Sequence, residues 1–311
     1  MRRIGKFLQG RYWSHLVVTW VMVAVLAKRW SEGAPLGREV VPLAVIAGCA
    51  WALHARYDIG RDITIGFHAQ QQTWNLHLST LAPLNPSPPY GQLLHRMRET
   101  EHYLHTAVRR HRVQRLTIAF PDPIGYGLPH EAASLRQGRR AHLWVGTNWL
   151  GPEDSEHLPV ILEHELGHIQ RRDNQRITAL QALLILLAIL STAWLTPLAA
   201  LLSITALRLL HVAWSWKSEL ACDDRAVRQC GRDAAIAFWQ RCALSQPARP
   251  LSGLPRLRNS LRSALSHPPD RLRLWRARRI QGPDGDRSHP LAVRLASPPR
   301  PPQPFTAPEP D

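Results

Sequence analysis

The 311-residue sequence has few lysines and few cysteines. Its net charge is +16, yet it contains only three lysines, and its arginines are spread along the whole chain rather than gathered in one stripe. Positive charge scattered in this way disfavours a nucleic-acid-binding surface, so no nucleic-acid partner is expected. The four cysteines form no CxxC pair and are too few for a disulfide framework. The absence of internal repeats excludes a solenoid or a propeller.

Charge is also absent from the whole stretch between Arg176 and Arg208. This apolar stretch is too long for one membrane span of about 20 residues. Thr196-Pro197 lies near its centre, where proline cannot continue a helix without losing a hydrogen bond. The sequence therefore predicts a transmembrane hairpin over 177–214. A buried helical pair in a soluble core is the alternative, although soluble helices normally carry a polar stripe.

The N-terminus is basic and is followed by two apolar runs, at 16–27 and 40–53. Tryptophans bracket the first run, as residues that anchor a helix at a membrane interface do. We expect residues 1–55 to form a retained transmembrane hairpin, which makes the chain a multi-pass membrane protein with four spans. A cleaved signal peptide that ends near Ala27 is the alternative.

The pattern of the residues between the two hairpins predicts a soluble region. Apolar residues at helical spacing predict a helix within 90–112, and alternation predicts strands at 113–120 and 142–147. The expected fold class is α+β, mainly α, built around the transmembrane helices. The last segment holds nine prolines, a composition typical of disorder. Three parts follow along the chain: the N-terminal hairpin (1–55), a main domain interrupted by the second hairpin (56–280) and a Pro-rich disordered tail (281–311).

A metal-binding motif lies in the segment LPVILEHELGHIQ, at 158–170. His164, Glu165 and His168 form H-E-x-x-H, which chance would produce about 0.03 times in a chain of this composition. On a helix the two histidines lie one turn apart on one face, so both imidazoles can reach one zinc ion. Glu165 lies beside them and can act as the catalytic base. Two solvated histidines on a helix are the alternative.

A hydrolytic zinc site usually has three protein ligands and one position for water. The segment WKSELACDDRAV, after the long apolar stretch, offers Glu219 and Asp223, which are four residues apart on one face of a predicted helix. Glu219 would complete a His-His-Glu ligand set, and Asp223 would orient a ligand histidine. The expected cofactor is one Zn²⁺ per chain. An acidic pair on a helix is otherwise typical of a solvated face.

Two further groups of residues resemble metal ligands but have simpler interpretations. His95, Glu99 and His102 have suitable spacing, yet their strongly charged surroundings indicate a solvated helix face. Cys222 lies between the two acidic candidates, and we expect it to be a small packing residue. Neither group is assigned to the metal site.

These motifs together resemble the HtpX and CAAX prenyl protease family of membrane zinc metallopeptidases. The chain has H-E-L-G-H at 164–168, Asp173 five residues on, an apolar hairpin and then E-x-x-x-D at 219–223. Further on, Ser266-His267-Pro268-Pro269 and Arg273 resemble the family's C-terminal signature. The resemblance covers roughly residues 110–275.

The resemblance implies a gluzincin-like zinc peptidase domain and a metalloendopeptidase active at the cytosolic face of the cell membrane. By the same resemblance Glu165 is the base, and His267 and Arg273 lie near the site. The edge strand beside the zinc helix, here 142–147, would hold substrate by β-augmentation. The implied partners are a protein or peptide substrate, membrane proteins included, and the lipid bilayer.

Two other functions stay open. The segment E-L-A-C-D-D-R-A-V is equally similar to BlaR/MecR-type membrane sensor peptidases, which share the zinc motif. Those sensors carry an extracellular β-lactam-binding domain with S-x-x-K, and none of the three lysines here follows a serine at that spacing. A sensor-like peptidase without that domain therefore remains an alternative. The alternative from another class is a non-enzymatic, basic membrane scaffold.

Overall fold

Helices dominate the fold and pack against one small sheet. The computed structural model describes residues 13–53, 88–120, 132–244, 267–280 and 289–296. Its helices are α1 (Trp13–Glu32), α2 (Val40–Leu53), α3 (Pro88–Arg109), α4 (Leu158–Arg171), α5 (Asp173–Trp194), α6 (Pro197–Cys230), α7 (Arg232–Leu244), α8 (Asp270–Arg279) and α9 (Pro290–Ala296). Its strands are β1 (Arg115–Ala119), β2 (Ala132–Gln137) and β3 (Arg140–Val145). The expected α+β class with mainly helices is confirmed.

The three strands form one sheet in the order β1-β3-β2. Strand β1 runs parallel to β3, and β2 runs antiparallel to β3 through a tight hairpin at Gly138, whose φ of +60° suits a residue without a side chain. Because β3 is central, the prediction that 142–147 forms the edge strand is wrong. The edge beside α4 belongs to β2, whose sequence AASLRQ contains none of the β-branched and aromatic residues that mark strands.

Helix α4 is enclosed almost completely, with 11 of its 14 residues buried. It packs on β2 and crosses α6. The crossing is close because Gly167 has no side chain: a Cβ there would lie 2.9 Å from Sγ and 3.2 Å from Cα of Cys222. Cys222 is fully buried, so it packs against α4 as expected. The crossing sets the distance between the two helices that carry the H-E-x-x-H and E-x-x-x-D motifs.

A single residue, Arg172, separates α4 from α5. Its backbone is left-handed, with φ 59° and ψ 40°, which is uncommon for a residue that has a side chain. The N–H of Arg172 donates to the carbonyl groups of His168 and Ile169 and ends α4. Helix α5 begins at the next residue, Asp173, whose carboxylate consequently lies beside His168.

Helices α5 and α6 meet at the break predicted from Thr196-Pro197. The side chain of Thr196 accepts a hydrogen bond from the N–H of Ala199, and Pro197 occupies the first turn of α6, where its missing N–H is not needed. Both helices are long and apolar enough to cross a membrane. Only 22% of the most apolar window of α5 and 6% of that of α6 are buried, which disfavours a helical pair in a soluble core.

Helices α1 and α2 pack against α5 from Gln181 onwards. Val25 and Val40 share one apolar cluster with Ala193. The N–H of Leu36, between α1 and α2, donates to the carbonyl of Ala193 at 3.1 Å, so this loop lies beside the α5–α6 turn. Helix α2 is shorter than the about 20 residues of a typical span, and among the described helices only α5 and α6 have the length and composition of one. Four spans therefore stay a prediction, and residues 1–12 lie outside the described part.

Part of the C-terminal tail is ordered. Helix α9 packs along α3, and Leu291 is fully buried in the main core. The prediction of a disordered tail over 281–311 is therefore wrong for 289–296. Pro290 occupies the start of α9, where proline favours a helix, and Leu291 and Leu295 supply apolar contacts that the proline content concealed. The rest of the tail lies outside the described residues.

We expect Gly167→Ala to destabilise the protein by about 1–3 kcal/mol, because the added methyl group overpacks the α4–α6 crossing. Thermal unfolding of the purified protein in detergent measures the change. Adding Cys222→Ala removes the nearest atom and should restore part of the loss, which a double-mutant cycle isolates. Gly→Ala at an open helical position is stabilising, so an unchanged or higher melting temperature would contradict the close crossing.

Candidate metal centre

Three side chains from two helices converge where α4 crosses α6. His164 and His168 lie one turn apart on α4, and their Nε2 atoms are 3.2 Å apart. The Glu219 carboxylate, from α6, approaches both rings: Oε2 lies 3.5 Å from Nε2 of His164, and Oε1 lies 3.4 Å from Nε2 of His168. The three residues form a largely buried group that could hold a metal ion.

Each histidine contacts a carboxylate through its other ring nitrogen. Nδ1 of His164 is 2.9 Å from Oδ1 of Asp223, and Nδ1 of His168 is 3.0 Å from Oδ2 of Asp173. A carboxylate only accepts, so in a neutral imidazole Nδ1 carries the proton and Nε2 keeps a free lone pair. In the neutral forms of both rings, the two lone pairs therefore lie on the side of Glu219. Asp223 lies where its predicted orienting role requires.

Asp223 is in turn held by Arg273. The guanidinium donates to both carboxylate oxygens of Asp223, at 2.7 and 2.6 Å, and stacks on the ring of Trp239 at 3.5 Å. Arg273 therefore contacts the cluster mainly through Asp223, although it also approaches Glu219 at 3.7 Å. His267 lies on the open side, with Nδ1 3.2 Å from Oε2 of Glu219 and 57% of its side chain exposed.

A cleft of about 330 Å³ opens over the cluster. Glu165 and His267 line it together with the three candidate ligands. Residues 132–134 of β2 and a polar face of α5 also line the cleft. The hydroxyl of Ser134 donates to the backbone oxygen of Glu165 at 3.1 Å and so ties the edge strand to α4. The structure thus brings every residue predicted for the site into one cleft or against its wall.

The acidic surroundings change the titration of His164. Burial alone would lower its pKa, but hydrogen bonds with Asp223 and Glu219 outweigh burial and raise the pKa of His164 to about 10. Without a cation the cluster therefore holds a proton near neutral pH. A metal ion must displace this proton, so the affinity of the site for metal should rise with pH.

The opposite side of α4 is held by an ion pair. The buried carboxylate of Glu163, the neighbour of His164, accepts from Nε of Arg225 on α6 at 2.9 Å and from the hydroxyl of Tyr103 on α3. Burial favours a higher pKa, but the neighbouring His289 and the charge of Arg225 hold the pKa of Glu163 below its usual value. Helix α4 is therefore attached to α6 on both sides of the ligand face.

A second group, His168, Asp173 and Cys222, also lies close enough together to hold a metal ion. Sγ of Cys222 is 3.4 Å from Nδ1 of His168. That nitrogen already donates to Asp173, so we interpret this group as the support of His168. Neither metal-capable group in the described part of the chain includes His95, Glu99 or His102.

Several residues of the site were not predicted from the sequence. Trp239 and Ser134 reach it only through tertiary contacts, which no local pattern reveals. The polar face of α5 does have a sequence signal, because Asn174, Thr178 and Gln181 recur at i, i+4 and i+7 at the start of an otherwise apolar helix.

Comparison of the chain with protein-family models, curated proteins and solved structures finds no significant match. The interpretation of the site therefore rests on its motifs and on its geometry.

We expect Asp223→Asn to lower the affinity of the site for a divalent metal about 10–100-fold, because His164 loses the carboxylate that orients it. Competition with a chelator measures the affinity. Asp224→Asn is the matched control, since Asp224 makes an equivalent two-oxygen contact with Arg276, at 2.6 and 2.7 Å, but contacts no candidate ligand. Equal metal affinities of the two variants would refute the orienting role.

Proposed function

We propose that the chain is a membrane-embedded, zinc-dependent metalloendopeptidase that hydrolyses peptide bonds at the cytosolic face of the membrane. The observation that carries the proposal is the convergence of His164, His168 and Glu219 at the floor of a cleft that Glu165 also lines. The proposal agrees with the resemblance of the motifs to the HtpX and CAAX prenyl protease family.

The donor set fits zinc. Two imidazole nitrogens and one carboxylate are ligands that Zn²⁺ takes in catalytic sites, whereas Mg²⁺ and Ca²⁺ prefer oxygen ligands alone. Tetrahedral zinc with bonds of about 2.0–2.1 Å places its ligand atoms about 3.3–3.4 Å apart. The separations of 3.2, 3.4 and 3.5 Å in the structure agree with that spacing. His164, His168 and Glu219 would hold one ion at the floor of the cleft.

Bound zinc would supply a Lewis acid that polarises the scissile carbonyl and lowers the pKa of a water molecule. Glu165 accepts the proton of the attacking water and returns it to the leaving amine, as a general base and then a general acid. His164 and His168 are held in place by Asp223 and Asp173. Arg273 acts through Asp223, and His267 lies on the substrate side of Glu219.

The free edge of β2 gives the substrate a place beside Glu165. In the described sheet β2 pairs with β3 alone, so main-chain groups on its other edge remain for another strand, although the carbonyl of Ser134 already accepts a long hydrogen bond, 3.5 Å, from Nδ2 of Asn174. An extended peptide can add to this edge by main-chain hydrogen bonds, which tolerate many sequences. In this proposal strand β2 takes the role that the family resemblance implied for 142–147.

The apolar surface of α5 and α6 supports the membrane part of the proposal. Large apolar side chains remain exposed along both helices, among them Leu183, Leu198, Leu202 and Leu209. Helices α1 and α2 pack beside them and would complete four spans. Arginines precede the apolar stretch, and Arg208 and Lys217 follow it; by the positive-inside rule this distribution of charge supports a cytoplasmic location of both ends.

Glu165→Gln should retain zinc and lose proteolysis about 10²–10⁴-fold, because the amide keeps the shape of the side chain but cannot accept the proton. Hydrolysis of fluorescein-labelled casein by the purified protein measures activity, and elemental analysis measures about one zinc per chain. His164→Ala should lose the zinc as well. Glu156→Gln, at an exposed site, is the control. Wild-type turnover by Glu165→Gln would exclude this residue as the base.

Residues 177–214 should cross the membrane twice. Nε2 of His168 and Oε1 of Glu219 lie 3.4 Å apart, whereas a single crossing would separate the two residues by about 30 Å of hydrocarbon. The test labels single cysteines in intact cells, in a background without the native cysteines. Arg176→Cys and Lys217→Cys should be protected from an impermeant reagent, and Thr196→Cys should react. Labelling of 176 and 217 from opposite sides would contradict the hairpin.

A further inference from the structure

Helix α5 lines the cleft with a polar face that the proposed hydrolysis does not use. Asn174, Thr178 and Gln181 lie one above another on this face. Gln181 lies within the predicted span, where polar groups are rare and usually have a functional reason. Its position in the cleft is therefore a candidate for a role in binding substrate.

The side-chain amide of Gln181 is held in one orientation by two other helices. The indole N–H of Trp51, on α2, lies 3.2 Å from Oε1 of Gln181, and an indole nitrogen can only donate. The amide oxygen therefore faces Trp51, and the amide nitrogen donates to Nε2 of His211, on α6, also at 3.2 Å. The amide is thus fixed before any ligand arrives.

This orientation leaves Gln181 with unused hydrogen-bonding capacity. A primary amide has two N–H donors and two acceptor lone pairs. Trp51 and His211 use one of each, so one donor and one lone pair remain among the described residues. A peptide unit offers the complementary pair, one carbonyl oxygen and one N–H.

The place of Gln181 along α5 sets how far a peptide must extend to reach it. Asp173, which contacts His168, is eight residues earlier on the same helix, or about 12 Å at 1.5 Å per residue. An extended chain covers that length in about three to four residues. A short ligand on the metal would not reach the amide, whereas a longer peptide would.

We propose that Gln181 forms a peptide-amide subsite that binds the main chain of a substrate three to four residues from the scissile bond. The inference rests on the proposed function, which supplies the peptide. It makes Gln181 a specificity-determining residue. Gln181 would select for an extended peptide whose main-chain N–H and C=O are open to hydrogen bonding at this distance, rather than for one particular side chain.

Hydroxamates of increasing length test the subsite. Acetohydroxamate carries the metal-binding group alone. Two series of peptide hydroxamates add one or four alanines to this group. The alanines lie on its N-terminal side in one series and on its C-terminal side in the other. Gln181→Met should weaken binding of the four-alanine probe about tenfold in one of the two series, because two hydrogen bonds are lost. Acetohydroxamate and the one-alanine probes should bind as they do to the wild type.

Gln175→Met is the matched control, because Gln175 is an exposed glutamine on the same helix that does not line the cleft. It should change the affinity of none of the probes. Trp51→Phe removes the donor that orients Gln181 and should weaken the same four-alanine probe several-fold. This variant provides the test if Gln181→Met does not fold.

The outcomes separate the subsite from the metal site. The subsite is overturned if four alanines bind the wild type no more tightly than one, or if Gln181→Met and Gln175→Met behave alike. Failure of acetohydroxamate to bind the zinc-loaded wild type would overturn the metal proposal instead. N-acetyl-tetra-alanine amide, which has no metal-binding group, then repeats the comparison on metal-free protein and decides the subsite independently.

Discussion

The close approach of α4 to α6 at Gly167 is the contact on which the whole site depends. Because position 167 has no side chain, the backbone of Cys222 reaches α4 directly, and Glu219 and Asp223 lie within about one turn of the contact. Metal–ligand bonds are only about 2 Å long. Side chains on two helices can therefore share one ion only if the helices lie close together. The ion pair between Glu163 and Arg225 joins the same two helices on the other face of α4.

Ion pairs join the helices around the cluster. Buried ions are unfavourable unless a partner and hydrogen bonds compensate them. The buried Asp223 of α6 meets this requirement by binding Arg273, and the next residue, the partly exposed Asp224, binds Arg276 of the same helix, α8. Helix α8, which also packs on α7, is attached by these two neighbouring ion pairs to α6, the helix that carries the third candidate ligand. The cluster, its supporting carboxylates and their arginines form one connected unit.

Most of the ligand set could be predicted because each part of it is local. His164 with His168, and Glu219 with Asp223, are i, i+4 pairs, so helical geometry alone assigns each pair to one face. The helix break at Thr196-Pro197 could also be predicted, because proline interrupts a helix through its own ring and its missing N–H. Strand β2 could not be predicted, since its residues become a strand only by pairing with β3. The contacts of Trp239 and the packing of α9 depend on residues distant in the chain, and no spacing rule links them.

The one-residue joint at Arg172 has a consequence for which changes of length the chain can accept. Each residue in a helix turns its successors by about 100°. An insertion or deletion at this joint would therefore rotate all of α5 relative to α4 and carry Asp173 away from His168. Most surface loops absorb added residues at small energetic expense, but here the backbone connection and a hydrogen bond to a candidate ligand share the same residues. The interval of five residues between His168 and Asp173 is thus a geometric requirement, and homologous chains that keep the site should keep this interval while they vary in length elsewhere.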